Sequence, residues 1–166
     1  MYPATEGRGK SRQGRGAAPG YKGAVTGEKS TQLVFLCRDL AWAVSSTAAL
    51  ELISLPPMTR VPGAPPHVLG VFVYRGQLLP LVDLPALLCS GAPLAVSRAV
   101  VVQSSLGPFG VPVTRVLGPM TRSPTRPPRA EHPPFVVGLI DDPARDTLAL
   151  DPDSLVRFLS AGSENR

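Results

Sequence analysis

Val68–Leu84 reads VLGVFVYRGQLLPLVDL, and its reading decides the fold. Two apolar runs flank Arg75-Gly76. Val68, Val71, Phe72, Val73 and Tyr74 are β-branched or aromatic, the side chains that suit a half-buried pleated strand. Gly76 can take the positive φ of a tight turn, so the spacing predicts a hairpin with Arg75 pushed toward solvent. Pro80 has no N–H for a ladder, which predicts an edge or a bulge in the second strand. Asp83 is predicted to cap a short helix, Ala86–Leu88, with Pro85 in its first turn.

Upstream, Thr31–Ser45 predicts a second hairpin, with strands near Leu33–Cys37 and Ala41–Val44 around Arg38-Asp39. Thr47–Ile53 fits a short helix or a strand equally, because periodicity does not arbitrate so short a run. Pro56–Pro66 reads as an ordered surface loop, and Ser90–Ser97 as another loop. Downstream, Ala99–Gln103 is a buried-strand run. Phe109–Val113 and Arg115–Leu117 read as one strand interrupted by a proline bulge at Pro112-Val113-Thr114. Pro119–Pro134 holds six prolines with Arg122, Arg126 and Arg129. It reads as a loop whose arginines face either solvent or a partner. Phe135–Ile140 and Thr147–Leu150 predict two more strands. Asp151-Pro152 then starts a helix, Asp153–Leu159, with Leu155, Val156, Phe158 and Leu159 on its apolar face. LLPLVDLPALL and TLALDPDSLVRFL both run strand, Asp, helix, an echo that suggests two lobes on one plan. Many short strands and few helices predict a mainly β chain folded as a pair of small barrels.

The 166 residues carry 20 Pro, 16 Gly and a net charge of +5. Residues 1–30 hold six Lys/Arg against two Glu, so the basicity belongs to them, while the rest, with 11 against 10, is nearly neutral. Those first 30 residues are too polar to bury a core and read as a disordered basic tail. Residues 31–160 form the folded body and 161–166 a C-terminal tail. Nucleic-acid binding through Arg12–Arg15 is the competing reading, though few aromatic residues interleave to stack bases.

Catalysis finds little support. His67 and His132 both neighbour proline. Pairing either with Cys37 or Cys89 as base and nucleophile lacks a catalytic local context. Two distant cysteines exclude a structural zinc site, and Cys37 reads as a small core residue. Asp141-Asp142 reads as a turn rather than a metal site. Phosphate-loop, dinucleotide-loop and zinc-peptidase motifs are absent, so no metal or cofactor is expected. Arginines interrupt every apolar run that approaches a membrane span, and a cytoplasmic protein is expected.

From Gln32 to Leu159 the chain resembles the CheW-like domain of bacterial chemosensory adaptors. The resemblance rests on Ala49-Leu50-Glu51-Leu52, Thr59-Arg60-Val61-Pro62, Gly70-Val71, Arg75-Gly76 and Leu79-Pro80-Leu81-Val82-Asp83-Leu84. Phe135-Val136-Val137-Gly138-Leu139 and Leu148-Ala149-Leu150-Asp151 complete it. The Asn usual two positions before the Arg is Val73 here, and the 119–134 loop also departs from the enteric type. The resemblance implies two five-stranded SH3-like barrels with a groove between them, and a scaffold without catalysis. Its implied partners are the regulatory domain of a CheA-type histidine kinase and the cytoplasmic tip of a chemoreceptor. Glu51 and Arg75 are its implied partner-binding residues, or else a mutual ion pair that fixes the lobes. Val71 and Val73 are expected to pack the barrel. Gly70, Gly76, Pro80, Asp83, Gly138 and Asp151 are expected to determine the fold. A CheW-like fold reused as a general interaction module is a further reading.

Overall fold

The computed structural model describes residues 30–88 and 95–163. The basic tail up to Lys29, Cys89, the first part of the Ser90–Ser97 loop and residues 164–166 lie outside the described residues. Eleven strands and two helices are described: β1 Thr31–Cys37, β2 Leu40–Ser45, β3 Ala49–Ser54, β4 Met58–Thr59, β5 Val68–Tyr74, β6 Gln77–Val82, α1 Leu84–Leu88, β7 Arg98–Ser104, β8 Gly107–Pro112, β9 Arg115–Thr121, β10 Val136–Ile140, β11 Thr147–Leu150 and α2 Pro152–Ser163.

The central hairpin forms as its residues dictate. Arg75 (φ 48°) and Gly76 (φ 78°) both take positive φ, the two-residue turn whose twist matches the flanking strands. Val73 pairs with Leu78, Phe72 with Leu79 and Val71 with Pro80. Neither the edge nor the bulge predicted at Pro80 is found there: Pro80 pairs in register with Val71, and β6 lies between β5 and β8. Its ladder to β8 is a short parallel one centred on Leu81–Gly110, so the missing N–H interrupts little. Within the segment 47–53, residues from Ala49 on form strand β3 and Thr47-Ala48 lie in the turn before it.

Two sheets result. One has five strands in the order β10-β11-β2-β1-β9, and the other has six in the order β3-β7-β8-β6-β5-β4. The sixth strand is a correction to the expected five. Met58–Thr59, inside the proline-rich connection, pairs with Phe72 and Val71 of β5. The expected proline bulge at 112–114 is a crossover instead. β8 belongs to the six-stranded sheet and β9 to the five-stranded one. The chain changes layer at Val113-Thr114 because Val113 is drawn into the core between the sheets.

That core explains the unbroken apolar runs. In a strand, successive side chains face opposite ways, so AVVVQ would expose every second residue if only one face were covered. Here both faces are covered. Val100 and Val102 join Phe35, Trp42, Val44, Phe109, Phe135 and Leu155 in the main cluster, drawn from both sheets. Ala99 and Val101 face Phe72, Leu79 and Leu81 within the six-stranded lobe. Val34, Ala43 and Ile140 form a smaller core in the other lobe. Burying each large side chain stabilises by about 1.5–3 kcal/mol.

The strand–Asp–helix echo is real in space, once in each sheet. Asp151 Oδ2 accepts the Ser154 N–H at 3.1 Å and caps α2, with Pro152 as its first residue. Helix α2 runs on to Ser163, past the predicted end at Leu159 and into the stretch expected as a C-terminal tail. Leu155 is fully buried, whereas Phe158 is partly exposed and packs edge-on against Phe135 at 5.3 Å. Among the described residues no helix is long and apolar enough to cross a membrane.

Candidate functional site

Glu51 and Arg75 are 24 residues apart in sequence and meet in space. The Arg75 guanidinium donates to Glu51 Oε2 at 3.0 Å, and the Tyr74 hydroxyl donates to the same oxygen at 2.8 Å. The guanidinium also stands over the Tyr74 ring, 5.1 Å from its centre, so the aromatic face and the carboxylate hold one cation together. β3 and β5 are separated by three strands in the sheet order. Their contact therefore requires the six-stranded sheet to curl toward closure. Both residues belong to that one sheet, so the ion pair lies within a lobe and does not fix one lobe to the other.

The electrostatics follow from this triad. The Tyr74 hydroxyl first, and then Arg75, hold the Glu51 carboxyl below the usual carboxylate range. The same hydrogen bond raises the Tyr74 phenol. Arg75 is 75% exposed, so its charge is presented to solvent. The triad borders an open depression of about 420 Å³ lined by Leu50, Tyr74, Arg75, Gln77, Gln103 and Pro108.

Strand β3 and the β5–β6 hairpin also carry exposed apolar side chains. Leu50 and Leu52 flank Glu51 on the edge strand β3, and all three are exposed. Val73 was expected to pack the barrel and does not. It is 58% exposed, and its cross-strand partner Leu78 is 70% exposed. Phe72 and Leu79 take the inward positions, and strict alternation turns their neighbours out. That alternation was the available signal for Val73 and Leu78. Tyr74 had no comparable signal, because its partner Glu51 is remote in sequence.

The brace between lobes lies elsewhere. Arg38, in the β1–β2 turn, donates to Asp83 Oδ2 at 2.6 Å at the end of β6, and the Asp83 side chain is 2% exposed. The Arg38 N–H donates to Thr114 Oγ1 at 2.9 Å in the crossover. Asp83 directly precedes α1, as predicted, but its carboxylate is engaged by Arg38 and, at 3.9 Å, by Cys37 Sγ. The pairing of Arg38 with Asp83 spans 45 residues and left no local mark in the sequence.

The other expected site residues are structural in their contacts. A Cβ on Gly138 would stand 2.6 Å from Pro124 Cβ, so the glycine permits the close passage of the proline-rich segment. Gly110, which sequence reasoning missed, lies beneath the Phe72 ring in the same way. His132 Nδ1 accepts the Arg129 N–H at 3.1 Å, a local turn bond. Burial, then the Asp83 carboxylate, push the Cys37 thiol up to about 12, the opposite of an activated nucleophile. Iodoacetamide at neutral pH is therefore expected to leave Cys37 unmodified in the folded chain and to alkylate it once the chain is unfolded. Peptide mapping reads this directly, and modification of the native chain at Cys37 would overturn it. Among the described residues no three His, Cys, Asp or Glu side chains gather as a metal site.

Comparison with known proteins agrees with this architecture. The family model described as the CheW-like domain matches residues 32–159. The chain is similar to the chemotaxis protein CheW of Bacillus subtilis, 37% identical over 59 residues, which is 36% of either chain. The match thus spans about a third of that relative's length. The scaffolding protein TtCheW from Thermoanaerobacter tengcongensis has the same fold, with a TM-score of 0.63 at 19% identity over 76% of this chain and 92% of that one. With its matched segment covering both sheets and most of α2, the chain belongs to the CheW-like domain family.

Proposed function

We propose that this protein is a non-catalytic chemosensory adaptor, acting in the cytoplasm at receptor arrays. It couples the cytoplasmic tip of a chemoreceptor to the regulatory domain of a CheA-type histidine kinase. The observation that carries the reading is the exposed Glu51–Tyr74–Arg75 triad, on elements that also expose Leu50, Leu52, Val73 and Leu78. Protein interfaces are built in this way, from aromatic and arginine anchors amid apolar contacts with few lone charges. Membership of the CheW-like family supplies the class of partner.

The test is co-sedimentation with receptor-bearing vesicles and a CheA-type kinase from the same cells. Arg75→Glu and Glu51→Lys are each expected to weaken ternary assembly about tenfold or more. Both side chains are exposed, so melting should stay within about 2 °C of the parent. Unchanged assembly in both variants would remove the site assignment. Failure of the parent chain to assemble at all would remove the function.

A further inference from the structure

Residues 122–129, RSPTRPPR, cross the outer side of β10. The Thr125 and Arg126 N–H groups donate to the Leu139 carbonyl at 2.9 and 3.2 Å, and the Leu139 N–H donates back to Arg126 O at 2.9 Å. This is a single antiparallel bridge to the last strand of the five-stranded sheet. Pro124, Pro127 and Pro128 carry no N–H, so the segment cannot extend the bridge into a full ladder. Pro124 packs closely against Gly138, where a Cβ would stand 2.6 Å from the Pro124 Cβ.

Charge holds the rest. Arg126 pairs with both Asp141 and Asp146, at the two ends of the β10–β11 connection. Arg129 reaches Asp146 at 3.6 Å and Glu131 at 3.8 Å. The Thr125 hydroxyl donates to Asp141 Oδ2 at 2.7 Å, and Arg122 donates to the Asp141 carbonyl at 2.9 Å. The Thr125 hydrogen bond, then Arg126, lower the Asp141 carboxyl, and Asp146 ahead of Asp141 raises Arg126. Every member of these ion pairs is at least 41% exposed. Exposed pairs are individually weak and are screened by salt. A strand edge with hydrogen-bonding groups of its own is thus covered by a strap on weak, salt-sensitive fastenings.

We infer that this strap is a displaceable cover over a strand-docking edge, and that the ligand replacing it is an extended peptide carrying an arginine. The edge sets that chemistry. Leu139 offers one N–H and one C=O to an added strand, Gly138 lets a side chain pack close to the backbone, and Asp141 with Asp146 brackets a guanidinium. This is recognition by strand addition, with specificity set by charge complementarity. The surface lies on the lobe opposite the Arg75 triad and is independent of the adaptor reading.

The experiment uses the full chain, a synthetic peptide of residues 121–130 as probe, and amide exchange at Leu139 as readout. In Arg126→Ala the Leu139 amide should exchange at least about tenfold faster, with Val34 in β1 unchanged as the folding control. The peptide should bind this variant at least about tenfold more tightly than the parent and restore protection. Adding Asp141→Asn and Asp146→Asn should abolish that binding. In the parent chain, raising salt to about 1 M should by itself speed Leu139 exchange, a readout that needs no variant. Leu139 exchange insensitive to both Arg126→Ala and salt would overturn the inference. So would peptide binding that is equal in parent and variant, or absent from both.

Discussion

Arg38→Ala is expected to lower stability by about 3–5 kcal/mol, because it leaves the buried Asp83 carboxylate without its cation. For a chain of this size, that corresponds to a melting temperature lower by about 6–20 °C. The Asp83 side chain is only 2% exposed in the intact pair, and the Cys37 thiol at 3.9 Å is a weak donor. The double variant Arg38→Met/Asp83→Leu separates the two components of the loss. Removing both charges removes the desolvation penalty, so it should recover most of the stability. Equal losses in single and double variants would show that the guanidinium matters through packing rather than charge. Calorimetry on the three proteins decides it. The pair joins the β1–β2 turn of one lobe to the end of β6 in the other. Its loss should therefore also loosen the lobes' mutual orientation, measurable as weaker near-ultraviolet dichroism from Trp42, which sits in the core they share.

Gly70→Ala is the second large effect. Gly70 has φ +155°, and a Cβ there would stand 2.6 Å from the Thr59 carbonyl oxygen and 2.8 Å from Met58 Cγ. Backbone cannot swing aside as a flexible side chain can, so the methyl must push β4 off β5. Conformational strain and overpacking each cost about 1–3 kcal/mol, so the sum is about 2–6 kcal/mol. Gly76→Ala is the control, since Gly76 also has positive φ (+78°) but nothing within 4 Å of the added atom. It should cost only the strain, about 1 kcal/mol. A Gly70→Ala protein that melts with the Gly76→Ala protein would refute the close approach.

What the sequence made legible was local. Arg75-Gly76 between two β-branched runs specifies its own hairpin, and Asp151-Pro152 specifies its own helix start. Asp83 and Gly138 were picked out as residues but not for their partners, and Glu51 was paired with Arg75 but not with Tyr74. Those partners, Arg38, Pro124 and Tyr74, lie 45, 14 and 23 residues away, where no propensity or period connects them. The layer change at Val113-Thr114 was invisible for the same reason. A proline in a strand marks an interruption, and only the distant core decides whether the chain bulges or leaves the sheet. β4 was missed because two residues carry no period. The strap was missed because its arginines were weighed without the carboxylates of the β10–β11 connection.

The sheet order also fixes when each lobe can be completed. Strands β3 to β8 are consecutive and form one sheet, whereas the other sheet takes β1 and β2 from the beginning and β9 to β11 from the end. Thr147 of β11 must align in parallel with Ala41 of β2, about a hundred residues after it. At typical synthesis rates those residues take about 5–20 s to emerge. Until β9 emerges the β1–β2 hairpin, with Trp42 and Phe35, has neither sheet neighbour, and until β11 emerges its β2 edge stays unpaired, while the later-made lobe can already close. On the ribosome, the lobe begun first is finished last, and its apolar hairpin is the surface that needs protection until then.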